Sequence, residues 1–326
     1  MKPKEDSSHL FLAGPPRGGT TLLRILLSEH PKIEISPEAK FVTELFHSAT
    51  NVQGKLSPEK IKDILEILRK EKKLNQWPGF SFEELRKVIT SLSGPDLSEI
   101  FHAIFMYFAE EQNKEPEYVG NKKGVYALGY GKSMKKIFPG SKYIYILRDP
   151  RDVARSTHKN LAKGWIEAAI QCQIRAWFFE EMTRLHPADT KFVKYEDLVR
   201  HTEETTKKIC KFLEIEFNSD MLNFHKNTQD DTHLLNSTKD IHQNTKKPPD
   251  PSLIGQWKDN EFMDSRKVAK VESLTGDLME KFGYQFKTSP GCFMKAKDKS
   301  LAAYKYYRHQ IRWFRRVKIY SRGAQN

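Results

Sequence analysis

Residues 14–21 read Gly-Pro-Pro-Arg-Gly-Gly-Thr-Thr, and they constrain the fold more than any other stretch. Neither a strand nor a helix runs through that density of glycine and proline, so the segment is a loop. Before it, His9–Ala13 is a short apolar run that reads as a buried strand. After it, Thr20–His30 puts Leu22, Leu23, Leu26 and Leu27 on one helical face, with Pro31 as the stop. Strand, glycine loop and helix in that order open a nucleotide-binding βαβ unit. The pattern continues with a second buried strand at Lys142–Leu147, a helix starting in the Arg148–Asp152 segment and a long helix over Trp165–Leu185. A short strand at Thr190–Val193, a helix entered through Tyr195-Glu196-Asp197 and a final helix over Phe262–Phe282, capped by Gly283, complete it. Strands alternating with helices predict an α/β fold of P-loop-like, three-layer type, a central parallel sheet with helices on both faces.

The 326 residues are read as one domain over 1–288, with a helical lobe inserted at about 40–115 and a basic, aromatic tail over 289–326. Within the lobe, Ser57-Pro58 and Ser81 are helix starts, and Asp96–Gln112 carries Ile100, Ile104 and Phe108 as one stripe. His225–Pro251 is polar and without period, and reads as a loop. The net charge of +13 is uneven: residues 291–326 hold ten Lys or Arg against Asp298 alone, so that stretch carries +9 and leaves +4 for the rest. A polyanionic partner is therefore expected for the tail and not for the whole fold. Cys172, Cys210 and Cys292 are widely spaced and odd in number, which suits a reducing compartment and gives no disulfide or zinc pattern. No apolar run reaches 18 residues, and Leu10–Ala13 is too short for a signal-peptide core. A cytoplasmic protein is the expectation, one that could sit peripherally on the inner face of a membrane.

Two constellations carry chemistry. The first is the loop itself, whose Gly14-x4-Gly19 spacing is that of a P-loop with Thr20 in place of the usual Lys. Backbone N–H groups leading into a helix N-terminus still form an anion cradle, to which Thr20 and Thr21 add hydroxyls and Arg17 a permanent charge. Without the Lys that reaches β and γ phosphates, the cradle suits a donor with a single 5′-phosphate bearing a sulfuryl group. The second is Arg148-Asp149-Pro150-Arg151-Asp152-Val153-Ala154-Arg155-Ser156, at the C-terminal end of a predicted strand, where open parallel sheets bind ligands. Arg148 and Ser156 make a sensible phosphate clamp if the helix between them curves back. Asp149 and Asp152 are read instead as a network that caps that helix.

Taken together, PPRGGTTLL and the later YILRDPRDVARS resemble the PAPS-dependent sulfotransferase family, where PAPS is 3′-phosphoadenosine 5′-phosphosulfate. Further matches follow in order: Glu38 in HPKIEISPEAK, Lys122 in GNKKG, Tyr195 opening YEDLV, Lys247 ten residues before Trp257, and Gly283-Tyr284. The resemblance spans about residues 9–286 and is closest to the branch holding the tyrosylprotein sulfotransferases and many bacterial enzymes. It implies that Arg17, Gly18, Gly19, Thr20 and Thr21 hold the 5′-phosphosulfate, and Arg148 and Ser156 the 3′-phosphate. Tyr195 would lie beside the adenine and Lys247 would close a loop over the nucleotide. Lys122, with Lys123 as its neighbour, would face the sulfuryl group, and Glu38 would be the general base. Asn160 departs from that branch, as does the segment from Asp231 to Lys246, and the acceptor stays open among glycan, glycolipid, small-molecule and tyrosine hydroxyls.

The implied reaction is in-line displacement, with no metal required, releasing adenosine 3′,5′-bisphosphate. Two other classes compete: a P-loop kinase or NTPase, and a non-catalytic polyanion-binding protein. Among the histidines, His30 reads as a helix end, and His102 on a lobe helix is the reserve candidate for the base. Tyr304–Tyr320 mixes aromatics with Lys and Arg, as segments do that lie on anionic membranes, bind polyanionic glycans or grip nucleic acid, the last being the least favoured. A basic helix folded back on the enzyme is the plain alternative. Neither acceptor identity nor oligomeric state is written in the sequence.

Overall fold

Apolar residues without a break, as in KYIYIL, belong to a strand buried on both faces. In the computed structural model, β1 (Ser8–Ala13) sends Leu10 and Leu12 into one core and Phe11 and Ala13 into another. β4 (Lys142–Leu147) divides in the same way, with Ile144 and Ile146 on one side and Tyr143, Tyr145 and Leu147 on the other. The structure describes residues 8–49, 54–122, 131–161, 164–227, 245–259, 261–288, 296–305 and 307–308.

Three further strands complete a five-stranded sheet: β2 (Ile33–Ser36), β3 (Tyr118–Asn121) and β5 (Thr190–Lys194). The order is β2-β3-β1-β4-β5 and every pairing is parallel. All five C-terminal ends therefore lie at one edge. Helices cover both faces. On one face lie α1 (Thr20–Ser28), α9 (Tyr195–Arg200), α10 (Thr202–Leu213) and α11 (Phe224–Asn227). The other face meets the lobe helices that join β2 to β3, with α2 (Phe41–Ala49), α3 (Pro58–Lys70), α4 (Phe82–Ser91) and α5 (Leu97–Glu111) in chain order. With them on that side are α6 (Gly131–Ile137), α7 (Pro150–Leu161) and α8 (Trp165–Leu185).

Local signals set several boundaries. Ser57 and Ser81 accept from the backbone N–H of Lys60 and Glu84, and Asp96 with Glu99 forms a full capping box. Ile100, Ile104 and Phe108 are buried as the stripe predicts. Their helix, α5, packs an aromatic cluster of Phe101, Phe105, Phe138 and Phe11 against the sheet.

Three sequence expectations need correction. β2 and β3 have no counterpart in the sequence reading, because four residues interrupted by Glu34 or Gly120 carry no visible period. Gly120 is required there: a Cβ would stand 1.9 Å from the Leu10 carbonyl oxygen of β1. The single helix over Phe262–Phe282 is two, α12 (Ser265–Leu274) and α13 (Gly276–Lys281). Asp264 caps the start of α12 by accepting from Arg266 and Lys267 N–H, so Phe262 lies outside it. Buried Thr275 breaks the run at φ −122°, ψ 20°, while its hydroxyl donates to the Val271 carbonyl. Nor is α13 the last helix, since residues 296–305 form another. Of the expected 225–251 loop, residues 228–244 lie outside the described residues, as do 309–326 of the tail.

Candidate active site

Each strand end delivers one of the residues singled out above. β1 leads into the glycine loop with Arg17, β2 to Glu38, β3 to Lys122, β4 to Arg148 and β5 to Tyr195. Neighbouring β1 and β4 run in register with Ala13 opposite Tyr145, so the loop and the Arg148 segment leave the sheet side by side.

The cradle is tightly built. Arg17 adopts a left-handed backbone at φ 62°, which costs a residue with a side chain roughly 1–2 kcal/mol. Gly19 precedes α1 at φ 97°, and a Cβ on it would stand 2.5 Å from the Tyr195 ring, so only glycine fits. Gly19 places no side-chain cap on the start of α1, and a helix N-terminus of that kind favours an anion. Arg17 Nε donates to Ser156 Oγ at 3.2 Å, joining the two motifs across 139 residues. Arg148 Nη1 donates to the Arg17 carbonyl at 3.1 Å, Nη2 donates to the Leu253 carbonyl at 2.7 Å, and the guanidinium stacks 4.3 Å above the Tyr195 ring. Arg148 Nε is buried with no hydrogen-bond partner among the described residues. Burial and the neighbouring Arg148 both push the Arg17 guanidinium down. Two adjacent guanidiniums and an orphaned donor fit a phosphate group, which would relieve their repulsion and fill the missing bond.

Lys122 follows β3, held in place by Asn121, whose amide donates to Ser36 Oγ at 2.9 Å and to the Pro37 carbonyl at 2.7 Å. Lys122 Nζ donates to Thr21 Oγ1 at 2.9 Å, inside the cradle. Burial draws its pKa down to about 8; Glu38 opposes that shift, and Arg24, Lys73 and Arg17 add to it. The ammonium is thus a cation near neutrality that loses its charge within reach of ordinary pH. Lys123 lies outside the described residues.

Glu38 stands across from Lys122 and pairs with Lys73 at 3.0 Å. Lys73 and Glu71 come from the lobe, and sequence reasoning missed both. Buried Glu71 accepts from the backbone N–H of Lys40, of Phe41 at 3.0 Å and of Lys73 at 2.8 Å. One carboxylate therefore caps α2 and ties the Glu38 loop to the lobe. No sequence period marks that contact, which joins residues about 30 apart.

The other charges of the second motif are structural, as read for Asp149 and Asp152. Arg151 is saturated by Asp149 at 2.7 Å, Glu272 at 2.6 Å and the Gln285 carbonyl at 2.9 Å, and it lies 3.8 Å from the Trp257 ring centre. Asp152 accepts from Gly255 and Trp257 N–H at 2.7 and 2.9 Å, and Arg155 donates to Gln256 and Asp259. Together with Arg148 on Leu253, these bonds hold residues 253–259 against the site.

Two candidates stand elsewhere. Lys247 is exposed, and its charge is felt at Asp250. His102 meets His9 at 3.4 Å, at the N-terminal end of β1 and so at the far edge of the sheet from Gly14. About five residues of strand, roughly 16 Å, separate the two levels, which removes His102 as a reserve base. His30 is a helix end, its ring bonded to Lys32 N–H and the Glu216 carbonyl.

Known proteins resemble this chain in sequence and in fold. Protein-tyrosine sulfotransferase A of Caenorhabditis elegans is 24% identical over 301 residues, covering 90% of this chain and 71% of that protein. Protein-tyrosine sulfotransferase of Drosophila melanogaster is 24% identical over 221 residues, 65% of this chain and 39% of that protein, so the chain spans from about two fifths to about seven tenths of these relatives. In fold, it resembles the sulfotransferase domain of the Synechococcus PCC 7002 olefin synthase, with a TM-score of 0.58, 20% identity and coverage of 87% of this chain and 98% of that one. The sulfotransferase domain from the curacin biosynthetic pathway aligns with a TM-score of 0.56 and 18% identity over 86% of this chain and 99% of that one. The model of the sulfotransferase family matches residues 9–219, which hold all five strands and both phosphate motifs, and the chain belongs to that family.

Proposed function

We propose that the protein transfers a sulfuryl group from PAPS to a hydroxyl acceptor and releases adenosine 3′,5′-bisphosphate. The observation that carries this reading is the meeting of Arg17, Ser156, Arg148 and Tyr195 beside Gly19, with Lys122 on Thr21. When bound, the donor supplies a sulfuryl group whose transfer forms an acceptor O–S bond and breaks the S–O bond to the 5′-phosphate.

The chain's residues divide the work. The amides of Gly19–Thr21, the Thr20 and Thr21 hydroxyls and the Arg17 guanidinium hold the 5′-phosphosulfate, while Gly18 shapes the loop by donating its N–H to the Pro15 carbonyl at 3.0 Å. Arg148 and Ser156 hold the 3′-phosphate, and the Tyr195 ring lies beside the adenine. Lys122 offsets negative charge that builds on the departing oxygen; a donor aimed at such charge in a dry site typically contributes about 3 kcal/mol. Glu38 takes the acceptor proton, a role worth roughly 10²–10⁴-fold. Lys247 closes the segment before residues 253–259 over the nucleotide. The relatives' names put a peptide tyrosine hydroxyl among the acceptors, beside glycan, glycolipid and small-molecule hydroxyls.

Isothermal titration with adenosine 3′,5′-bisphosphate in EDTA tests the reading. Micromolar binding by the wild type, weakened roughly 30-fold in Arg148→Ala, is expected. Absence of binding by the wild type, or binding only with Mg²⁺ and ATP, would replace the reading with that of an NTPase-like protein.

A further inference from the structure

A cleft of about 80 Å³ opens between α8, the corner where α12 meets α13, and the helix over residues 296–305. One water molecule needs roughly 10–15 Å³, so the cleft holds several. It is separate from the cradle. At about 100° per residue, Gln173 and Trp177 share one side of α8, roughly opposite Arg175. Arg175 is the residue that meets the cradle, donating from Nη1 to the Gly14 carbonyl at 2.9 Å. The cleft therefore lies across α8 from the nucleotide motifs.

Its floor is polar and unmet. Gln173 is only 2% exposed, and its Oε1 accepts from Leu278 N–H at 3.2 Å, which fixes the amide. The Nε2 donor is left buried with no partner among the described residues. Ser273, in the last turn of α12, is 6% exposed, and its Oγ is likewise without a partner among them. A buried polar group left unmet costs about 1–3 kcal/mol, so two beside one opening point to a ligand. Half-buried Trp177 and Phe286 supply aromatic walls. At the mouth stand exposed Glu280 and Asp277, the latter paired with Lys299 at 3.1 Å. Gly276 keeps the space open: a Cβ on it would meet no atom within 4 Å.

The mixture of groups selects the ligand. Gln173 Nε2 needs an acceptor, whereas the two carboxylates need donors. An anion would face two carboxylates against one ammonium. A cation would leave the Gln173 donor unmet, and an apolar molecule would leave both floor groups dry. A hydroxyl accepts and donates at once, and the C–H face of a sugar ring buries well against aromatic rings. We propose that this cleft binds a neutral sugar unit, its ring against Trp177 and Phe286. Its hydroxyls meet Gln173 Nε2, Ser273 Oγ and the carboxylates of Asp277 and Glu280.

The test reads sugar binding and is independent of sulfuryl transfer. The full chain is titrated with glucose, galactose and N-acetylglucosamine, followed by saturation-transfer NMR on the sugar protons. Millimolar binding of at least one is expected. Ser273→Ala should weaken it about three- to tenfold, with an unchanged melting temperature because the hydroxyl has no partner to lose. Gly276→Leu, which fills the cleft, should abolish it. No sugar binding by the wild type overturns the proposal. So does a Ser273→Ala variant that binds as well as the wild type, because the sugar is then held in the catalytic site or elsewhere. Tighter binding of glucuronate or choline than of the neutral sugars would assign the cleft to an ion, and would overturn it too.

Discussion

Arg148 and Arg151 lie three residues apart in one motif and serve two regions with opposite electrostatics. Around Arg151, Asp149 and Glu272 neutralise the guanidinium, the Gln285 carbonyl fills a further donor, and Trp257 covers the plane. Glu272 also accepts from the N–H of Lys287 and Thr288, which closes the network. Around Arg148, by contrast, Arg17 and Asp152 both act on the guanidinium with no ion pair to it among the described residues, the stacking ring belongs to Tyr195, and one buried N–H has no partner among the described residues. A region whose charges are balanced has done its work on folding. One whose cations repel and whose donors are unfilled is poised for an anion, and burial makes that imbalance stronger. Position relative to the sheet separates the two. Arg148 is at the lip of β4, whereas Arg151 is in the first turn of α7, under residues 253–259.

The comparison can be broken in order of effect. Arg151→Met should cost about 3–5 kcal/mol of stability, read by urea denaturation, because Asp149 and Glu272 are left buried without their partner. A variant that loses nucleotide binding and keeps its stability would reverse the assignment. Next, Lys122→Met should lower kcat about 10²-fold, near 3 kcal/mol, with little change in nucleotide affinity, measured by turnover and titration. The sign of the pH dependence follows from the same residue. Its pKa in the fold is drawn down to about 8, so the charge is present below that pH and lost above it. The rate should therefore fall through about pH 8, and Lys122→Arg, whose charge does not titrate, should remove that limb.

Arg148→Ala should behave as the mirror image of Arg151→Met. Affinity for adenosine 3′,5′-bisphosphate falls by about 2 kcal/mol, roughly 30-fold, while stability moves by less than about 1 kcal/mol, since one like-charge contact is relieved as two carbonyl bonds are lost. The smallest effect belongs to Lys73, whose pair with Glu38 is partly exposed. Lys73→Met should lower kcat/KM by about three- to fivefold, and Lys73→Arg should restore it, because such a pair contributes under about 1 kcal/mol. No loss in Lys73→Met would leave Lys73 without a role in holding Glu38.

Much of the site is legible along the chain where residues are close in sequence. The cradle from Gly14 to Thr21 is a continuous segment, and the clamp from Arg148 to Ser156 is one strand end and two helical turns. Glu71 and Lys73 are not legible, because their partners Lys40 and Glu38 lie across a lobe whose pattern reports only its buried stripe. Misreading His102 has the same origin: an isolated histidine on a helix carries no sign of which sheet edge it faces.

By itself the sequence determined the elements that rest on local physics. Glycine and proline forced the loop after β1, apolar runs made β1 and β4 strands buried on both faces, and Ser57, Ser81 and Asp96 capped the lobe helices. Only the tertiary structure decided which charges are spent on the fold and which are left for a ligand. That depends on partners 30 to 139 residues away, from Glu71 at the Glu38 loop to Ser156 at Arg17. The short strands β2 and β3 were likewise settled by parallel neighbours, since four residues gain their hydrogen bonds only once the sheet exists.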